Sequence, residues 1–392
     1  MEYLYSKLKT LERPDTPLTE DERLRAVRGP LLHWYDNNRR ILPWREEPEA
    51  YKVWISEIML QQTRVEAVKP YFARFMEALP DVISLAAADE ETLLKLWEGL
   101  GYYSRARNLK KAAQVIVDEH GGVMPDSYDK LLKLPGIGSY TAGAISSIAF
   151  GIPEPAVDGN VLRVISRLLA DRGDITKAGT KKRYELLIRD NMDRERAGDY
   201  NQALIELGAI VCIPAGKPLC GECPMNSLCL ALKGELTDVI PVKAPKKPRR
   251  IEEKTIFLLE WEDKAAIRKR SGKGLLASLY EFPNIPGHAG EEELSEVLGL
   301  PKEDILASER LPDSVHIFSH VEWHMTGYRV KMAKEHPELF HMVKKEEIFS
   351  KYPLPNAFGV YTKALIEIMR GKAYEKNDFR VQSQIGQGAD TQ

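Results

Sequence analysis

Apolar residues recur at i, i+3 and i+4 along most of the chain up to about Leu232, as in Val53-Trp54-Ile58 and Leu93-Leu94-Leu96-Trp97, and this period predicts helices. Strand patterns are scarce there. Between Lys233 and Arg250 proline and lysine take over, ending in Pro241-Val-Lys-Ala-Pro-Lys-Lys-Pro-Arg-Arg250, which predicts an extended, solvated linker. Beyond it, the β-branched and aromatic content of Lys254–Trp261 and Tyr328–Ala333 predicts strands, whereas Glu291–Leu300 and Gly359–Arg370 carry helical spacing. The expected fold is mainly α, followed by a smaller α+β domain. The last twenty residues hold little apolar surface and are expected to form a frayed tail.

Composition narrows the class. The chain has 392 residues, 43% hydrophobic and 29% charged, which fits two or three globular domains. Apolar runs stop short of the roughly 18 residues a membrane span needs, so no transmembrane segment is expected. Met1 to Asp15 lacks the apolar core of a secretory signal, and a cytoplasmic location follows as an expectation. The net charge of −2 gives no global pull towards nucleic acid, but 56 Lys and Arg leave room for a local basic face.

Three local features carry chemistry. Leu134-Pro-Gly-Ile-Gly-Ser-Tyr-Thr-Ala142 places a Gly-x-Gly turn between a helix ending near Lys133 and one starting near Ser139, a helix-hairpin-helix pattern. Gly136, Ile137 and Gly138 would let amides at the second helix's start face a phosphate, so the hairpin would grip DNA backbone and not sequence. All four cysteines fall in Cys212-x7-Cys220-x2-Cys223-x5-Cys229. Such a set suits structural zinc or a cubane iron–sulfur cluster, and spacing alone does not separate the metals. Disulfides do not persist in a reducing cytosol. The third feature is a pair of acids. Glu57 stands in the strongly apolar stretch Val53-Trp-Ile-Ser-Glu57-Ile-Met-Leu, where desolvation in a cleft would keep it protonated near neutrality, the state a general acid needs. Asp158 precedes a helical run from Val161 to Ala170 and is expected at its N-cap, where helix amides favour an ionised carboxylate.

Together these features resemble the helix-hairpin-helix DNA glycosylase superfamily over most of residues 20 to 232. Within it, Leu42-Pro-Trp-Arg45, Ser56-Glu-Ile-Met-Leu-Gln-Gln-Thr63 and Glu98-Gly-Leu-Gly-Tyr-Tyr103 look like the adenine DNA glycosylases of the MutY type. The resemblance implies an N-terminal extension (1–19), a glycosylase domain (20–232), a linker (233–252), a Nudix-like domain (253–372) and a flexible tail (373–392). It also implies one [4Fe-4S] cluster on Cys212, Cys220, Cys223 and Cys229, and no nucleotide cofactor. The family's first cysteine gap usually has six residues and here has seven, so the Ile213–Leu219 loop is expected to bulge.

The implied activity is base excision repair by a monomer: adenine mispaired with 8-oxoguanine is flipped out of double-stranded DNA and its glycosidic bond hydrolysed. By resemblance, Glu57 would protonate adenine N7 and later activate water, while Asp158 would stabilise an oxocarbenium-like sugar or trap it covalently. Tyr140 and Asn160 would orient the sugar, the Asp or the water. Tyr140 also stands where bifunctional relatives such as endonuclease III place a Schiff-base lysine, which implies a monofunctional enzyme without strong lyase activity. Trp44, Arg45, Leu60 and Gln202 would line the adenine pocket; Gln62, Thr63, Leu100 and Tyr102 would fill the vacated stack and touch the opposite base. On residue type alone, Trp44, Leu60 and Leu100 read as core and Arg45 as a surface cation.

Gly274-Leu-Leu-Ala-Ser-Leu-Tyr-Glu-Phe-Pro283 looks like the segment before a Nudix motif, but the hydrolase acids do not follow, and Glu291, Glu292 and Glu293 are misspaced. A Nudix-like fold without hydrolysis is implied, reading 8-oxoguanine through Phe318, Ser319 and His320. His316, His320 and His324 on one strand face would suggest a metal, but a hairpin break at Ser319 argues against it. Lys243, Lys246, Lys247, Arg249 and Arg250 in the linker are candidates to lie on phosphates. Three other readings stay open. A Nudix-type hydrolase of oxidised nucleotides with a DNA-binding appendage lacks its acids, an iron–sulfur DNA-binding or redox-sensing protein would leave Glu57 and Asp158 incidental, and a glycosylase with lyase activity is disfavoured by Tyr140.

Overall fold

The computed structural model describes residues 18–245 and 248–371. The N-terminal stretch 1–17, Lys246 and Lys247 of the linker, and the tail lie outside the described residues.

Up to Lys233 the described chain is helical, and its helices gather around two hydrophobic clusters. The first joins the helices Ala50–Leu60, Val65–Ala78 and Ser104–His120 through Trp54, Phe72, Phe75, Leu93, Trp97 and Leu109. The second forms where the Glu20–Asn38 helix, started by a capping box between Thr19 and Glu22, packs Leu24, Val27 and Leu31 against the helices Gly159–Leu169 and Ala197–Ile210. The Ser139–Phe150 helix touches both the Ala50–Leu60 and the Ala197–Ile210 helices, so it runs along the seam between the clusters. The expected helix before the hairpin is a single turn, Tyr128–Leu131. Gly136 then turns the chain with φ +77°, and a Cβ there would stand 2.6 Å from Cβ of Asn108, so the position demands glycine twice over.

The C-terminal part holds a seven-stranded sheet: β1 Arg250–Trp261, β2 Lys264–Lys269, β3 Tyr280–Glu281, β4 Asn284–Pro286, β5 Ile305–Ile317, β6 Val321–Met332 and β7 His341–Lys344. The strand order is β3-β2-β1-β6-β5, with β4 also on β1 and β7 on β2. β1 and β6 run parallel, in register from Arg250 opposite Val321 to Glu260 opposite Lys331, and the other pairs are antiparallel. One face sends Ile256, Leu258, Trp323 and Met325 to Tyr361 and Leu365 of the Gly359–Met369 helix. The other sends Phe257, Leu259, Tyr328 and Val330 to Leu294 and Leu298. Burial on both faces explains why Ile256 to Leu259 is an unbroken apolar run, as a parallel central strand requires.

Two expectations need correction. The linker ends before its composition predicts, since Arg250 already opens β1, and although most of its described residues are exposed it is anchored at one point, where Ile240 is 1% exposed and its carbonyl accepts from Nε of Arg167 at 2.7 Å. The helix expected over Glu291–Leu300 is a 3-10 turn, Glu291–Glu293, followed by a short helix, Leu294–Leu298, which stops where Gly299 adopts a left-handed conformation. Among the described residues, no helix is long and apolar enough to cross a membrane.

Candidate active site

The seam between the two helical clusters opens into a cavity of about 740 Å³, within the range of small-molecule sites. Its walls carry Trp44, Arg45, Glu57, Leu60, Tyr140, Asp158, Asn160 and Gln202, all chosen from the sequence, with Gln62 and Thr63 at its edge. Five helices deliver them: Pro43–Glu46 brings Trp44 and Arg45, Ala50–Leu60 brings Glu57 and Leu60, Ser139–Phe150 brings Tyr140, Gly159–Leu169 brings Asn160 with Asp158 as its N-cap, and Ala197–Ile210 brings Gln202.

Glu57 is 8% exposed. Burial pushes its carboxyl up to about 7 and the Asp158 charge adds to the shift, while the Tyr140 phenol, which donates to Oε2 at 2.5 Å, and Arg45 oppose it. The Tyr140 hydroxyl is itself held well above its ordinary value by burial and by Glu57, so it remains a donor. Asp158 caps the Gly159–Leu169 helix: Oδ1 accepts from the Val161 amide and Oδ2 from Nδ2 of Asn160, both at 2.8 Å. Those donors and Arg163 favour its charged form, yet burial outweighs them and raises the Asp158 carboxyl above its usual range. The N-cap expected from sequence is therefore present, but its amides do not by themselves set the acidity.

Behind these residues stand groups that the sequence reading passed over. Glu206, fully buried, accepts from Nε and NH2 of Arg40 at 2.6 and 3.0 Å and from NH2 of Arg45 at 2.9 Å, so Arg45 is a fixed cation of the cavity and not a surface charge. The signal was available: Glu206 stands in the apolar second half of its helix, one turn beyond Gln202, much as Glu57 stands among apolar neighbours in its own. Arg163 donates to Oδ1 of Asn160 at 2.7 Å, to the Gly208 carbonyl at 2.8 Å and to the Cys212 carbonyl at 2.7 Å. At Gly208 a Cβ would meet that of Asn160 at 2.6 Å, so the missing side chain lets the two helices close around Asp158.

Other predicted residues fall elsewhere. Trp44 and Leu60 are both core and cavity wall, and Trp44 meets Phe72 edge-on at 5.3 Å. Leu100, 6% exposed, belongs to the first cluster and does not line the cavity. Ile137 is buried at the hairpin. Tyr102 is half exposed and its hydroxyl lies 3.1 Å from Oγ of Ser319, a contact that joins the helical part to the turn between β5 and β6. Ser319 and His320 are exposed in that turn, while Phe318 packs edge-on against His316 and Trp323. Nε of Arg249 donates to the Phe318 carbonyl at 3.0 Å and Arg250 pairs with Glu252, so these two linker cations are engaged within the sheet domain. His324 lies near Glu322 and not near His316, and no three His, Cys, Asp or Glu among the described residues stand close enough to share one metal ion.

The four cysteines border a second cavity, walled otherwise by apolar side chains with Arg167, Asn226 and Thr237. NH1 of Arg167 donates to Sγ of Cys212 at 3.3 Å, and Sγ of Cys229 donates to the Arg167 carbonyl at 3.4 Å. In the seven-residue gap, the Leu219 amide returns to the Val211 carbonyl at 2.9 Å, so the extra residue is absorbed without displacing Cys220 from the set. Burial raises the thiols of Cys220 and Cys229, and that of Cys223 up to about 12. Four desolvated thiolates would repel one another, so this donor set fits a cationic metal group.

The HhH-GPD superfamily of base excision DNA repair proteins matches residues 55–189, and the NUDIX domain matches residues 255–364. The adenine DNA glycosylase of Homo sapiens is 37% identical over 375 residues, covering 80% of this chain and 68% of that protein. That of Schizosaccharomyces pombe is 35% identical over 375 residues, covering 77% and 80%. Among solved structures, a thermostable thymine-DNA glycosylase aligns with a TM-score of 0.49 at 28% identity, over 54% of this chain and 97% of its own. With a helix-hairpin-helix domain, a Nudix-like sheet domain and relatives of this similarity across most of its length, the chain belongs to the MutY-type adenine DNA glycosylases of base excision repair.

Proposed function

We propose that the substrate is adenine paired with 8-oxoguanine in double-stranded DNA, and that Glu57 and Asp158 divide the chemistry. The observation that carries this reading is the unequal environment of two carboxyls in one cavity. Glu57 has a single phenol donor and an acidity near 7, so a large fraction is protonated at neutral pH and can donate to adenine N7, making the leaving base neutral. The Asp158 carboxyl is raised by burial but held by two close donors with Arg163 nearby, groups that oppose that rise and back the anion proposed to stabilise, or trap, an oxocarbenium-like sugar. Tyr140 orients Glu57, and Asn160 orients Asp158. Arg45, Trp44, Leu60 and Gln202 are proposed to hold the base.

The proposed enzyme is monofunctional, because no lysine lines the cavity among the described residues and a phenol at position 140 cannot form a Schiff base. Gln62, Thr63, Leu100 and Tyr102 are proposed to occupy the vacated stack, and Ser319, flanked by Phe318 and His320, to read the oxidised base. The Tyr102–Ser319 contact supports a composite reader built from both domains. The backbone grip is assigned to Gly136, Ile137 and Gly138. Cys212, Cys220, Cys223 and Cys229 are proposed to hold one [4Fe-4S] cluster, since all four border one cavity in a loop that follows the helix-hairpin-helix part. When bound, that cluster would serve as a cross-link closing the loop. We assign residues 20–232 to the glycosylase domain and the sheet from β1 onwards to the Nudix-like domain, with the linker between them ending before Arg250, and expect a monomer acting on chromosomal DNA in the cytoplasm.

The test is base release from duplexes pairing adenine with 8-oxoguanine or with thymine, followed by strand cleavage with and without hot alkali. Cleavage only after alkali, and only opposite 8-oxoguanine, is expected. Cleavage without alkali would reinstate the lyase reading, and binding without release would point to the non-enzymatic one.

A further inference from the structure

Gln62 and Tyr102 sit in two separate turns, one after the Ala50–Leu60 helix and one before the Ser104–His120 helix. Both are exposed, and both adopt left-handed backbone angles, φ 59° and 46°, that non-glycine residues rarely hold. Such conformations persist only where the surroundings over-determine them. The two turns share one such determinant. The buried guanidinium of Arg105 donates from NH1 to the carbonyls of Ile58, Met59 and Gln61 at 2.7, 3.1 and 2.6 Å, and from NH2 to those of Leu100 and Gly101 at 3.0 and 3.1 Å.

An arginine that merely finished a helix would satisfy the first three acceptors, which lie at a C-terminus lacking intrahelical partners. The bonds to Leu100 and Gly101 serve no helix end. They hold the carbonyl just before Tyr102, as the bond to Gln61 holds the carbonyl just before Gln62. One planar cation thus fixes the peptide that sets each unusual φ. A lysine, with three protons on one point, cannot span both sets of acceptors. The guanidinium also lies 5.3 Å from the Trp97 ring and 5.7 Å from that of Tyr102, which steadies the Tyr102 side chain as well as its backbone.

We propose that Arg105 is a positioning residue that fixes Gln62 and Tyr102 as one rigid pair, so that both side chains enter the base stack together when adenine leaves it. The proposal rests on the reading that these two side chains fill the vacated stack, and it adds what holds them ready. Arg105 touches no reacting atom and acts only through the pair.

The test is a mutant cycle read by single-turnover excision of adenine opposite 8-oxoguanine. Arg105→Lys is expected to slow excision about 10²-fold in the otherwise native protein, the scale of an ångström-sized misplacement. In a Gln62→Ala, Tyr102→Ala background it should cost less than about twofold, because the groups through which it acts are gone. An equal loss in both backgrounds overturns the proposal and leaves a structural arginine. If the double variant excises at the native rate, the stack-filling reading fails and the proposal with it. If the double variant is slow and Arg105→Lys is not, the reading stands and the proposal alone falls. A measurement without substitution covers the case in which Arg105→Lys does not fold. In the native protein free of DNA, amides of residues 60–64 and 99–103 should exchange with solvent as one unit, and independent opening of the two turns overturns the proposal.

Discussion

The carboxyl of Glu57 is buried in the cavity wall between helices, whereas the hydroxyl of Ser319 stands in solvent at the tip of a strand turn, touched across the domains by Tyr102. Each is supported by its own kind of frame. Around Glu57 the frame is made of side chains: Tyr140, Arg45 and, behind it, Glu206. Around Ser319 it is made of main chain, with the Phe318 amide bonded to the Val321 carbonyl at 2.8 Å and Arg249 bracing the Phe318 carbonyl. The contrast has a physical cause. Shifting an acidity requires removing water, so the proposed acid must be buried and its neighbours fixed. Reading a base edge requires hydrogen-bonding atoms that the ligand can reach, so the proposed reader must stay exposed and is fixed chiefly through its backbone.

This contrast can be broken most severely at Glu57. Glu57→Gln is expected to lower single-turnover excision about 10²- to 10⁴-fold, the usual weight of a general acid. The same change should stabilise the protein. The folded-state value of about 7 lies above the ordinary carboxyl value of 4.5, so the folded state binds more protons than the unfolded one between those pH values, and stability falls as pH rises through that window. Removing the charge therefore recovers up to about 3 kcal/mol above pH 7. Denaturant unfolding at pH 8 reads the gain, and a variant that is both inactive and less stable would mean that Glu57 is not desolvated in the manner described.

The pH profile is the next sharpest probe. If protonated Glu57 is the acid, single-turnover excision should be flat below about 7 and fall tenfold per unit above it. A rate that rises through the same range would assign Glu57 as a base in the limiting step. At the supporting layer, Glu206→Gln leaves Arg40 and Arg45 without their anion and should cost about 2 kcal/mol, below the range for fully buried pairs because both arginines keep some solvent. Thermal melting reads the cost, and the Michaelis constant should rise as Arg45 loosens; an unchanged constant would make Arg45 structural only.

The smallest effect belongs to the exposed region. Ser319→Ala should leave stability within about 0.5 kcal/mol, since no buried group loses a partner. Its preference for 8-oxoguanine over guanine opposite adenine should fall about five- to tenfold, equivalent to one hydrogen bond. An equal loss on both substrates would remove Ser319 from base reading.

Much of this was legible in the chain alone because it is local. Apolar spacing predicted the Ala50–Leu60 and Glu90–Leu96 helices, the β-branched run predicted β1, and Asp158 before Val161 predicted an N-cap, since capping and periodicity act within a few residues. The cysteines announced a shared site by proximity in sequence. The anchoring of the linker at Ile240 was not legible for the complementary reason: proline and lysine specify extended backbone, but whether Ile240 is solvated depends on Arg167, which lies far away along the chain.

What only the tertiary structure decided is which of several plausible side chains are desolvated together. Tyr140 and Glu57 are 83 positions apart, Arg45 and Glu206 161, and Tyr102 and Ser319 217, and no pattern in one segment encodes a neighbour from another. The residue types at these positions set what chemistry was possible. Acidity, donor direction and the rigidity of the two strained turns are properties of the surrounding dielectric and of fixed partners, and these exist only once the helices have closed around the seam.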